Sequence, residues 1–205
     1  MSRSILPIAI CCLGAALISP VLAQVATQPP ALTASSGPIA ASAPKPAQEL
    51  VTAARAVATK MHKPTLVMFH ASWCGWCKRL DAVMSRPEFK KMFAANYEIV
   101  TLDVLENGAK IAELENPGGK EYMKQLGGEK SGLPFYAWLD SDGKKIADSN
   151  VMPGTNSNIG YPGEPAEIEA FMALVKKTAP NWSEADQKTL HDYLVANAPK
   201  ANAAH

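Results

Sequence analysis

The sequence is poor in the things that most often announce a function. Among 205 residues there are only four cysteines and four histidines, and aromatic residues make up 7% of the chain. Basic residues number 20 and acidic residues 19, so there is no charge excess of either sign. That balance, with no basic stripe, argues against a nucleic-acid partner and against docking on an anionic membrane surface. No apolar run reaches the roughly 18–20 residues a membrane-spanning helix needs. No repeat is visible, and no tract is long enough for a second domain of ordinary size.

The longest apolar run is the opening one, "MSRSILPIAICCLGAALISPVLAQ". Arg3 supplies a short positive head, Ile5 to Ile18 the apolar core, and Val21 and Ala23 the small residues of a cleavage site. This is the pattern of a signal peptide spanning residues 1–23, cut before Gln24. Ile10 precedes Cys11, and Cys11 precedes Cys12, so neither cysteine has the small neighbour a lipid anchor would need. The expected mature chain is therefore exported, with no membrane span, and is periplasmic if its source is Gram-negative. It keeps only Cys74 and Cys77, in an oxidising setting where the pair can cycle only if something reduces it.

Residues 24–46 are rich in Pro, Ala and Ser and nearly uncharged, a composition that predicts a disordered linker. Residues 47–205 are then one domain. Leu50, Val51, Ala54, Val57, Ala58 and Met61 recur at helical spacing. "TLVMFHA", Thr65 to Ala71, reads as a strand buried on both faces. A helix is expected from the cysteine pair to about Met84, and "SRPE" restarts it with Ser85 as cap. Tyr97 to Val104 reads as a second strand, parallel to the first. A short helix follows at Lys120 to Leu126. A hairpin runs from Phe135 to Asp148 around a turn at Asp140 to Gly143. Pro165 opens a helix to about Lys177, and Ser183 with Asp186 opens a last one.

The chemistry sits in "HASWCGWCKRL", His70 to Leu80. Such a pair could exchange electrons, hold a metal, or staple the chain locally. A spacing of three puts Cys74 and Cys77 on one face of a first helical turn, close enough to join. At the helix N-terminus Cys74 meets unpaired backbone N–H groups and the positive end of the dipole. Both stabilise a thiolate, the species that attacks a disulfide. Cys77, one turn further in than an exposed Cys74, should be more shielded and is placed to resolve the mixed disulfide. A closed zinc site needs about four N or S ligands, which two cysteines and the scattered His62, His70, His191 and His205 do not obviously supply. His70 leaves a copper- or zinc-binding variant conceivable. Covalent haem needs a His directly after the second cysteine, where this chain has Lys78. A loop this short makes a weak structural staple.

The order of elements, with C-x-x-C directly after the first strand and Pro134 in "GLPF" heading the third, resembles a thioredoxin fold over roughly residues 48–178. The resemblance implies an α/β domain with a central mixed sheet flanked by helices, here with an extra C-terminal helix. It implies a thiol–disulfide oxidoreductase in which Cys74 attacks and Cys77 resolves. A cis Pro134 would pack against the pair and leave the backbone of Leu133 free for an extended client segment, with Trp73 and Trp76 shaping the client surface. No metal or organic cofactor is implied. The implied partners are client proteins with thiols or disulfides and a membrane-bound electron donor. One departure stands out: the buried acid that thioredoxin carries six residues before its first cysteine is here Met68. That leaves open a thioredoxin-like module that binds a client or a metal and turns over little. The long stretches Glu106–Gly118 and Asn150–Pro165 exceed a minimal domain and could form a client-facing rim.

Overall fold

The computed structural model describes residues 43–154, 157–179 and 181–199. The expected signal peptide and most of the expected 24–46 linker lie outside those residues. In chain order the elements are α1 (Ala47–Lys60), β1 (Thr65–His70), α2 (Gly75–Met84), α3 (Pro87–Asn96) and β2 (Glu98–Asp103). They continue with α4 (Lys110–Leu114), α5 (Gly119–Gln125), β3 (Phe135–Leu139), β4 (Lys145–Asp148), α6 (Pro165–Thr178) and α7 (Glu184–Ala196). The sheet order is β2-β1-β3-β4. β1 runs parallel to β2 and antiparallel to β3, which pairs antiparallel with β4. This is the mixed sheet flanked by helices that the resemblance implies, with α7 as the additional C-terminal helix.

The apolar run of β1 is continuous because both of its faces are covered. Leu66 and Met68 belong to the aromatic-rich core cluster that also holds Leu80 and Met84 of α2, Phe171 of α6 and Leu190 of α7. Val67 and Phe69 alternate into the opposite cluster, with Val51 of α1 and Met123 of α5. β3 divides in the same way: Tyr136 and Trp138 face the first cluster, Phe135, Ala137 and Leu139 the second. Period-two alternation along the two central strands thus builds a core on each side of the sheet.

Several expectations are corrected at element ends. Ser85 does not cap the third helix; its N–H donates to Asp81 O and closes α2, and Arg86 takes the N-cap place ahead of Pro87. Tyr97 ends α3 rather than starting β2, because its N–H still bonds back to Phe93 O. Val57 and Met61 are exposed, since α1 buries a narrow stripe of Ala47, Val51, Ala54 and Ala58 and ends at Lys60. α4 was not anticipated; it has no buried residue, so no apolar period marks it. The last two helices start where expected. Ser183 Oγ accepts the N–H of Asp186, and Glu164 and Glu167 cap each other reciprocally ahead of α6.

Candidate active site

Cys74 is the N-cap of α2 and is disulfide-bonded to Cys77, with Cα atoms 5.3 Å apart. The Cys77 N–H donates to Cys74 Sγ at 3.1 Å, so the sulfur takes one of the donors that a helix start leaves without an intrahelical partner. The same amide and the helix dipole face any negative charge that develops on Cys74. Both cysteines are buried, Cys74 at 3% and Cys77 at 1% exposure. The sequence reading expects an exposed attacker and a shielded partner; in the joined pair both are covered, and they pack with Ala71 and Leu133.

The peptide bond Leu133–Pro134 is cis. Pro134 is buried and Leu133 half-buried. Asn158, from the long loop after β4, holds this corner from outside: its Nδ2 donates to the carbonyls of Gly132 (2.8 Å) and Pro134 (3.1 Å). Ser149 Oγ donates to Asn158 Oδ1 at 2.6 Å and accepts the Tyr136 N–H at 3.1 Å. A buried hydroxyl therefore ties the start of β3 to that loop.

The two tryptophans are both exposed, Trp73 by 53% and Trp76 by 39%. Trp73 donates Nε1–H to the Leu105 carbonyl at 2.7 Å. Behind it Ser72 donates both N–H and Oγ–H to the buried Glu106 carboxylate, whose own N–H donates to Glu115. Lys110 of α4 reaches Ser72 Oγ at 3.0 Å. Trp76 instead stacks on Tyr161, ring centroids 5.8 Å apart and planes 22° from parallel. The Arg79 guanidinium lies 5.4 Å from the Trp76 ring and 5.6 Å from that of Tyr161. Tyr161, Glu106 and Asn158 were not singled out in the sequence. Each acts across more than twenty residues of chain, with no motif to signal it.

On β1, Met68 is buried and apolar, as its identity dictates. His70, at the end of β1, sits between two carboxylates: Nε2 is 3.0 Å from Asp103 and Nδ1 3.4 Å from Asp81. Asp81 chiefly holds the imidazole above its usual pKa, against the opposing effect of burial, with Asp103 and Glu106 adding to the rise. Burial pushes the Asp103 carboxyl up, and His70 partly offsets this. Among the described residues no group of three or more His, Cys, Asp or Glu is arranged to hold a metal ion, and no helix is long and apolar enough to cross a membrane. Tyr136 and Trp138 are core residues, and Tyr122 lies against the α1 side of the core.

Residues 47–141 match a protein family described as thioredoxin-like. No curated protein matches the chain. Solved structures similar to it include a disulphide isomerase from Xylella fastidiosa Temecula1, 22% identical, covering 73% of this chain and 89% of that one at a TM-score of 0.44. A structure described as DsbH oxidoreductase is 22% identical and covers 71% and 91%, at a TM-score of 0.43. The C-terminal domain of DsbD from Neisseria meningitidis, in its oxidised form, is 22% identical and covers 52% and 84%, at 0.39.

Proposed function

On the premise that residues 47–141 match a thioredoxin-like family, we propose that this protein is an exported thiol–disulfide oxidoreductase acting on client proteins through Cys74 and Cys77. The observation that carries the reading is the disulfide at the head of α2, with Cys74 Sγ already accepting a helix-terminal N–H. An amide that holds a sulfur there holds a thiolate better, and the thiolate is the attacking form.

In the reducing direction, Cys74 thiolate attacks one sulfur of a client disulfide and expels the other as a thiolate. Cys77 thiolate then attacks Cys74 Sγ, the Cys74–Cys77 bond forms, and the second client sulfur leaves reduced. Two electrons pass from the pair to the client, and a membrane-bound thiol donor restores the dithiol. The chemistry resides in the cysteines alone, without metal or organic cofactor. The corner at Leu133 and Pro134, with Trp73 and Trp76 on either side, forms the client surface, and an extended client segment pairs with the backbone of Leu133. Cleavage of residues 1–23 delivers the chain to the oxidising side of the membrane; an intact mass that begins at Met1 in the exported protein would contradict this. Residues 24–46 act as the linker to the 47–205 domain.

The experiment is trapping. Cys77→Ala keeps the attacker and removes the resolver, so client adducts accumulate in exporting cells and disappear with reductant, whereas Cys74→Ala gives none. Absence of adducts with Cys77→Ala sinks the reading. The buried Met68 favours a second one, a binding module of the same fold that turns over little. Under that reading the wild type would not accelerate insulin reduction by dithiothreitol, and purified protein would carry stoichiometric copper or zinc.

A further inference from the structure

Position 68 offers no acid, yet the face of β1 that carries Met68 also carries His70, because strand side chains alternate. On α2, Asp81 follows Cys77 by four residues, so the two share one helix face with Cβ atoms roughly 5–6 Å apart. His70 bridges the layers: one ring nitrogen is 3.4 Å from Asp81, the other 3.0 Å from Asp103, its register partner on β2. Lys90 of α3 faces the same space, and Glu106 of the loop after β2 adds a further carboxylate near the ring. Met68, His70, Asp81, Lys90 and Asp103 line a cavity of about 360 Å³. That volume, with polar groups on its wall, has room for water around the Asp81 carboxylate; Cys77 lies outside this lining, one helical turn from Asp81.

We propose that the Asp81 carboxylate, held in place by His70, accepts the proton of Cys77 in the resolving step, doing the work of the acid that position 68 lacks. This rests on the oxidoreductase reading. Asp81 is the acceptor and His70 the positioning residue, because both ring nitrogens of His70 are already directed at carboxylates, Nδ1 at Asp81 and Nε2 at Asp103. Asp103 fixes the far side of the ring. In the step, Cys77 Sγ–H passes its proton to Asp81, one turn further along the same face of α2. The resulting thiolate attacks Cys74 Sγ, the Cys74–Cys77 bond forms, and the client sulfur leaves as a thiolate. Asp81, half exposed, returns the proton to solvent.

Mixing the reduced full-length protein with dithiobis(nitrobenzoate) separates the two steps. Attack by Cys74 releases one equivalent of thionitrobenzoate, and resolution by Cys77 releases the second. Asp81→Asn should leave the first phase intact and slow the second about tenfold or more at pH 7. That deficit should close as pH rises past about 8.5, where a thiol ionises without help. Asp81→Glu should restore most of the rate, and His70→Gln should reproduce the pH-dependent deficit in milder form. A second phase unchanged or faster in Asp81→Asn overturns the proposal. So does equal slowing of both phases at every pH, which marks a structural defect. Absence of the first phase in wild type overturns the oxidoreductase reading, and the relay with it.

Discussion

The two sides of the disulfide are built by different physics. On the Trp73 side the chain is held by polar ties: an indole N–H on the Leu105 carbonyl, and a buried Glu106 that accepts twice from Ser72. On the Trp76 side it is held by stacked rings, Trp76 on Tyr161 with Arg79 beside both. Tyr161 also belongs to the large aromatic core cluster, while Ser72 and Glu106 belong to neither of the two large clusters that flank the sheet. The Trp76 side is thus anchored to the core by apolar area, and the Trp73 side by direction-dependent bonds. Each tryptophan is supplied by the motif, but its pose is set by a loop distant in the chain.

The largest break in that comparison should come from Tyr161→Ala. It removes a nearly buried ring and its stack, at a cost of about 4 kcal/mol in urea unfolding. Trp76 should then show red-shifted emission while the Trp73 hydrogen bond persists. Glu106→Ala should cost somewhat less, about 3 kcal/mol, by leaving the Ser72 N–H and Oγ–H without their acceptor. Its signature is opposite: the Trp73 side loosens and the ring stack stays. Equal emission changes in both variants would mean the two sides are not independently anchored. Trp73→Phe should cost under about 1 kcal/mol, since water replaces an exposed hydrogen bond. Its effect belongs in client KM rather than in stability.

The smallest expected difference is a pH effect at His70. Its folded pKa lies above the usual 6.5, chiefly because of Asp81. The stabilisation is therefore fully present below about 6.5 and is lost as pH rises through the folded value. Comparing wild type with His70→Gln by thermal melting at pH 5.5 and pH 8.5 should show a gap that narrows on the alkaline side. A gap that widens there would contradict the pairing with Asp81. Part of the ring is solvent-accessible, so screening keeps the effect modest.

How much of this was legible in the chain differs from residue to residue. The strand Thr65–His70, the hairpin from Phe135 to Asp148 and the helices opened by Pro165 and Ser183 were readable, because burial on both faces, turn residues and caps are local signals. The helix Lys110–Leu114 was not, since it buries nothing and so leaves no period. Ser85 looked like a cap because Pro87 and Glu88 follow it in the right order; the backbone bond from its N–H to Asp81 O decided otherwise. The cysteine pair was legible from its place directly after a buried strand, with Pro134 at the head of a later one, rather than from its spacing alone. Its burial was not, because the covering atoms of Leu133 come from nearly sixty residues away.

By itself, then, the sequence determined the alternation along β1 and β3, the caps of the later helices, the cysteines at a helix start and the absence of an acid at position 68. These depend on residues within a few positions of one another, where propensity and periodicity act. Only the tertiary structure decided that Asn158 holds the carbonyls around Pro134, that Tyr161 backs Trp76, and that His70 lies between Asp81 and Asp103. Those contacts join β1 to α2 and β2, and the loop beyond β4 to α2 and to the segment that leads into β3. They depend on which elements the sheet order makes neighbours, and no local pattern encodes that order.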